Sequence, residues 1–388
     1  MRNTTFASLG VLLLLAGLTG PAYGIDAKHE ARARAAIGRG ATFLRSTQNE
    51  DGSWTPKIGP AITAMAVTVM IDSGLVATDD PQVEKALVYI LANVHEDGGI
   101  HSGILANYNT AICLSALDLV RDRPGMERTI KRAQDFLRGL QWDGQADAQG
   151  NAVDESHPFF GGAGYGRHGR PDLSNTQIML QGLYDSGLNC KDPAFIRAIT
   201  FISRCQGVKS NTEFGGMIQQ DGGFIYSTSV NKDLVGVPQS MASPGMIDEA
   251  KAGRAVSGLR TYGSMTYAGF KSYLYALLDR DDPRVVAALD WIKHHYTLDA
   301  NPGLPEPIRL HGLYYYYMTF ARALDAYGQT TIQTADGVQH DWANDLVDAL
   351  LSRQRDDGSW VNDADRWMEG DANLVTCYAM IALEAAVQ

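Results

Sequence analysis

Gln48-Asn49-Glu50-Asp51-Gly52-Ser53-Trp54 and Gln354-Arg355-Asp356-Asp357-Gly358-Ser359-Trp360 share the pattern Q-x-x-D-G-S-W at opposite ends of a 388-residue chain. A phrase written twice over that length marks an internal repeat, so the unit around it is the first thing to define. Before the first copy, Ala31 to Thr47 reads as an amphipathic helix; after it, Ala61 to Val67 begins an apolar helical run too long for a strand. The unit is therefore helix, Gly-rich turn, more apolar helix. Five further units follow: Pro81–Val94 with Tyr108–Val120, Met126–Leu140 with Ser174–Ser186, Pro193–Cys205 with Ser264–Leu278, Pro283–Tyr296 with His311–Tyr327, and Asp341–Gln354 with Asn373–Ala386. No segment shows a strand pattern.

The second helices share a register. Thr63, Thr110, Thr176, Thr266 and Thr376 each have apolar residues four and seven positions on, along one helix face; the fifth unit has Tyr317 in that place. Asp80-Pro81, Asp192-Pro193 and Asp282-Pro283 each read as an N-cap followed by Pro in the first turn. Because the second helices are apolar around most of their circumference, they need cover on both sides. Two concentric layers with the apolar helices inside meet that need, and closing the stack into a ring leaves no bare end. The expected fold is all-α, six helical hairpins in a closed ring. The two copies of the opening phrase then become neighbours. Residues 25–388 form one domain in this reading, with long loops at about 143–171 and 207–262.

Residues 1–24 have Arg2 near the start, an apolar run from Val11 to Leu18 and a small-x-small ending at Ala22-Tyr23-Gly24. This is the pattern of a secretory signal peptide cleaved near Gly24, which places the remaining chain outside the cytoplasm, periplasmic or secreted. No later stretch is long and apolar enough to span a membrane. Loss of Arg2 takes the net charge from −11 to −12. An acidic chain with no basic run argues against nucleic acid. The four cysteines contain no C-x-x-C pair. Cys190 and Cys205 fall at opposite ends of a predicted helix, about 22 Å apart, too far to bridge.

The repeated phrase resembles Q-x-x-x-G-x-W, the repeat signature of terpenoid cyclases such as squalene–hopene cyclase. Gly222-Gly223-Phe224 resembles the equivalent turn of protein prenyltransferase β subunits. The resemblance implies an α6/α6 toroid whose central cavity takes isoprenoid chains, with Gln48, Trp54, Gln354 and Trp360 tying adjacent repeats together. The family's catalytic motifs are not matched. Asp279-Arg280-Asp281-Asp282 has the letters of the cyclase acid motif but falls between hairpins, where helix capping accounts for it. Leu374-Val375-Thr376-Cys377 lacks the Asp of a prenyltransferase zinc site. No metal and no cofactor are expected.

In a toroid the turns converge on one mouth, and helix N-termini there favour an anionic or polar group. Tyr165, His168, Arg170, His311 and Tyr314 are the candidate ligand-binding residues; Asp365, Arg366 and Glu369 lie in the sixth turn. Tyr314 to Tyr317 spans a full helical turn, so at least one ring must face the lumen. Three readings stay open. One is an apolar or amphiphilic small molecule, isoprenoid-like, in the cavity. The others are a carbohydrate-active toroid using paired carboxylates and a non-catalytic binding or scaffold protein.

Overall fold

The computed structural model describes residues 24–388. The expected leader therefore lies, but for Gly24, outside the described residues. Among them are thirteen α-helices, twelve of which pair as hairpins with the first helix outside and the second inside. The pairs are α1 (Ala27–Thr47) with α2 (Ala61–Asp72), α3 (Pro81–Ala92) with α4 (Ala106–Asp118), and α5 (Met126–Arg138) with α6 (Leu173–Asp185). Then come α7 (Pro193–Arg204) with α9 (Gly263–Tyr275), α10 (Pro283–His294) with α11 (Leu313–Tyr327), and α12 (Trp342–Leu351) with α13 (Ala372–Ala386). The inner helices pack in cyclic order, each on the next, and α13 closes on α2. The fold is an α6/α6 toroid.

Burial follows the sequence pattern. Every residue of α2 from Ala61 to Met70 is buried, and so is α13 from Leu374 to Ala386. Outer helix α5 buries only one stripe, including Ile130, Ala133, Phe136 and Leu137. An all-round apolar helix is stable only with neighbours on every side, and the ring supplies them.

The repeated phrase is the joint between hairpins. Gln48 Nε2 donates to Gly52 O in its own turn and to Gln82 O in the next outer helix, at 3.0 and 2.9 Å. Gln141 reaches Gly161 O and Ala194 O in the same way, and Gln206 reaches Gly222 O and Arg284 O. Gln354 bonds Gly358 O and Ala36 O, so the sixth turn is seated on the first helix. The glycine is required by contact and conformation together. Gly358 has φ 88°, and a Cβ there would stand 2.5 Å from Arg39 O. The tryptophans tie their own hairpin: Trp54 and Trp360 are fully buried and donate Nε1–H to Leu44 O and Leu350 O.

The register threonines close each turn from inside. Oγ1 of Thr63, Thr110, Thr176, Thr266 and Thr376 accepts the amide N–H of Trp54, Ile100, Ala163, Phe224 and Trp360 respectively. A buried amide without such a partner would cost about 1–3 kcal/mol. Asp80, Asp192 and Asp282 cap α3, α7 and α10 through the amides of Gln82, Ala194 and Arg284. Asp281 is exposed. The four cysteines are free thiols, and burial pushes that of Cys377 well up.

Two elements depart from expectation. Thr331–Gln333 (β1) and Gln339–Asp341 (β2) form a short antiparallel pair where no strand was expected. Its turn places Gly337 at φ 87°, the Asp-Gly signal of a tight hairpin. Inside the second long loop, Pro244–Lys251 forms α8, started by Pro in its first turn. Among the described residues no helix is long and apolar enough to cross a membrane.

Candidate functional site

The N-terminal ends of the six inner helices surround a cavity of about 270 Å³. Its wall can be counted from the register threonines. Two residues before each threonine, or before Tyr317 in the fifth helix, stand Ala61, Tyr108, Ser174, Ser264, Tyr315 and Leu374, and all six line the cavity. Two residues are about 200° around a helix. A threonine bonded outward to its turn therefore sends that side chain into the lumen. Five residues past the threonine, about 10 Å lower, Thr68, Ser115, Gln181, Lys271, Arg322 and Ile381 line a narrower passage. Near the C-terminal ends of the same helices, Asp72, Asp185, Tyr275 and Glu384 border a second cavity of about 310 Å³ on the opposite face. The lumen is thus an aromatic upper chamber, a polar belt and an acidic vestibule.

Tyrosines dominate the upper chamber. Tyr108, Tyr165, Tyr226, Tyr262, Tyr315 and Tyr378 line it beside Met65, Ile112, Met265 and Leu374. Several of their hydroxyls are tied into the wall. Tyr108 OH pairs with Ser174 Oγ, and Ser174 Oγ lies 2.8 Å from Tyr315 OH, which also accepts from Gln177 Nε2 at 2.8 Å. Tyr165 stacks on Tyr108 at 6.0 Å, and Tyr315 meets Tyr378 edge-on at 6.0 Å. Both long loops contribute: Tyr165 comes from the first, and Tyr226, Met241 and Tyr262 from the second. Arg204 joins these loops by donating to Glu155 O and His157 O while pairing with Glu213.

Among the described residues, Glu369 is the one acidic side chain of this wall. Its side chain is almost wholly buried; Oε1 accepts Tyr315 N–H at the start of α11 at 2.7 Å, and Oε2 accepts from Asn362 at 2.6 Å. Burial pushes the carboxyl up to about 7, opposed by the Asn362 bond and by α11 amides. The residues before it are conformationally costly. Trp367 and Met368 both have positive φ, at 58° and 69°, and Leu105 across the chamber has φ 47°. All three line the cavity. Non-glycine residues held in this region cost roughly 1–3 kcal/mol each and concentrate where a wall must be shaped for a ligand.

Of the five candidate residues, the structure brings only Tyr165 to the chamber wall. Arg170 stands behind Tyr226, its guanidinium 5.2 Å from the ring centroid and its Nη1 directed to Pro171 O and Ser229 O. His168 is exposed, at φ 57°, with its ring edge-on to Trp142. His311 lies outside the wall against Trp367, and burial together with Arg366 holds its imidazole below the ordinary range. Tyr314 is buried against Tyr317, away from the lumen; Tyr315 is the ring of that run that faces it.

With fold and cavity in view, the chain can be set beside known proteins. No protein-family model and no curated protein matches it. Among solved structures, D-mannose isomerase superposes over 94% of this chain and 99% of its own, with TM-score 0.56 and 10% identity. A family 76 glycoside hydrolase (mannosidase) from Bacteroides thetaiotaomicron superposes over 90% and 98%, with TM-score 0.51 and 10% identity. The type II terpene cyclase MstE from Scytonema superposes over 92% and 98%, with TM-score 0.50 and 13% identity. These likenesses define a class by fold, the α/α toroids, whose members here include both terpene and sugar enzymes.

Proposed function

We propose that this chain binds a small apolar, isoprenoid-like molecule in its upper chamber, with one hydrogen-bonding end against Glu369. The observation that carries this reading is the composition of the wall. Among the described residues, tyrosine, methionine and aliphatic side chains surround a single acidic group, and no Lys, Arg or His lines the space. Burying a ligand's apolar surface there contributes roughly 25 cal/mol per Å², and tyrosine faces accommodate flat unsaturated chains. A volume of about 270 Å³ is at the small end of ligand pockets, roughly 300–1,000 Å³, which favours a short chain. A hydroxyl can hydrogen-bond the Glu369 carboxyl in either protonation state, whereas a diphosphate would meet its ionised form as a like charge. Glycosidases generally use two carboxyl groups about the scissile bond; this wall has one. An open chamber also favours a ligand over a purely structural role. The leader-like residues 1–24 support a site of action outside the cytoplasm.

Quenching of tryptophan fluorescence, with Trp367 at the cavity wall, gives the test. Geraniol should bind saturably and more tightly than geranyl diphosphate, and Leu374→Trp, which fills the chamber, should abolish binding. Equal geraniol affinity in a folded Leu374→Trp protein would overturn the reading. Tighter binding of the diphosphate would move the site toward Arg170.

A further inference from the structure

The second cavity, at the C-terminal ends of the inner helices, has a different chemistry. Its carboxylates divide into two kinds. Asp118 is held by Arg121, and Asp185 accepts from Ser115, Gln181 and Arg322. Asp72 on α2, Asp325 on α11 and Glu384 on α13 also border the cavity, yet none of the three side chains has a hydrogen bond or ion pair among the described residues. Glu384 is the telling member. Its side chain is more than nine-tenths buried, it borders the cavity, and its Oε1 has no hydrogen-bond partner. Burial, with Asp72 beside it, raises the Glu384 carboxyl well above its ordinary range, and a buried polar group left unpartnered is costly unless something outside the chain satisfies it.

The surroundings say what would. Six inner helices end on this face, and the C-terminal end of a helix carries partial negative charge from its free carbonyls. Tyr184 and Tyr275 stack at 4.0 Å on the cavity wall; Lys271 Nζ already lies over the Tyr275 ring at 5.5 Å, so the half-exposed Tyr184 is the ring that offers surface to a further cation. Two cations lie close by. Arg322 borders the cavity itself, donating to Asp185 and drawing the other carboxyls' pKa values down against burial, and Lys271 sits deeper in the belt, donating to Gln181 Oε1 at 2.6 Å. Burial and the neighbouring Arg322 lower the Lys271 amine to about 7, so it offsets the acids only in part. No three acidic, histidine or cysteine side chains among the described residues are grouped as metal ligands. The spread of the carboxyls suits an organic cation rather than a single inorganic ion.

We propose that this vestibule is a second binding site, for a small organic ammonium ion held between Asp72 and Glu384 against the Tyr184–Tyr275 pair. The site stands apart from the upper chamber, and its test is independent of the isoprenoid reading.

The full chain is titrated calorimetrically with cadaverine and, separately, with its uncharged counterpart pentanediol. Cadaverine should bind saturably at one site and pentanediol should not. Glu384→Gln and Asp72→Asn should each weaken cadaverine by about tenfold or more, as expected when one charge-assisted bond is lost. Leu374→Trp, in the other chamber, should leave it unchanged. If either vestibule variant fails to fold, exposed Asp325→Asn carries the comparison, with a smaller loss. Non-saturable heat, equal binding of pentanediol, or unchanged affinity in the folded vestibule variants would overturn the site and leave only diffuse counter-ion attraction.

Discussion

The Glu369 carboxyl caps α11 and is also the acidic group of the upper chamber, and those two duties pull its protonation in opposite directions. Helix amides favour the anion; burial favours the neutral acid and prevails. Its folded value of about 7 lies above the ordinary 4.5, so the stability it confers is complete below pH 4.5 and is lost as the pH rises through 7. The full span corresponds to about 3 kcal/mol. Glu369→Gln cannot titrate, so its melting temperature should lack this fall between pH 4.5 and 7. Superimposable pH profiles for the two proteins would show that Glu369 is not the titrating group. Glu369 was legible as a polar residue of the sixth turn at the mouth, but not in its direction. Its inward direction depends on the left-handed backbone at Trp367 and Met368, which neither side chain announces. The chamber ring went unread, although the face two residues before each threonine follows from helical geometry alone. Arg170 and His311 carry the charge that marks a mouth residue in sequence, but Arg170 is turned to Pro171 O and Ser229 O and His311 packs against Trp367.

At the scale of the element, the hairpins were readable because their signals are local: Asp-Pro starts, a glycine turn and a threonine register. The capping account of Asp279 to Asp282 makes a sharp contrast between neighbours. Asp282→Ala removes the bond to Arg284 N–H and should cost about 1 kcal/mol. Asp281→Asn, on an exposed residue, should change neither stability nor geraniol binding. Chemical denaturation of both variants checks the pair, and a functional loss in folded Asp281→Asn would reopen the acid-motif reading. The two long loops were less readable. Their order comes from distant partners, such as Arg204 holding Glu155 and His157 from one loop and Glu213 from the other. The β1–β2 pair was missed because three-residue strands have too few positions to show alternation.

For the whole molecule, the decisive inference was closure, and it came from one phrase occurring twice. Gln354 and Gly358 meet α1 in the manner that Gln48 and Gly52 meet α3, so the joint across the chain ends is built like the others. Repeat proteins with open ends carry polar caps; here α13 instead lies between α11 and α2. A chain ending before residue 341 should therefore lose cooperative folding altogether, rather than melt as a slightly smaller protein. A truncated protein that stays soluble with the native melting temperature would contradict the ring. What the sequence could not supply was the contrast between the two ends of the lumen. That contrast arises only when residues from six separate helices are stacked at common heights.

The closed joint also bears on where the polypeptide must begin. Gly24 lies against Thr330, just past α11, and Gln388 borders the acidic vestibule, so both ends of the described chain emerge on one face. The order in which the hairpins are synthesised then has no counterpart in the finished ring. A circular permutant, linked from residue 388 to residue 24 and opened between any two hairpins, would contain the same six joints and the same lumen. Evolution or design could therefore relocate the termini around the rim while leaving both chambers intact.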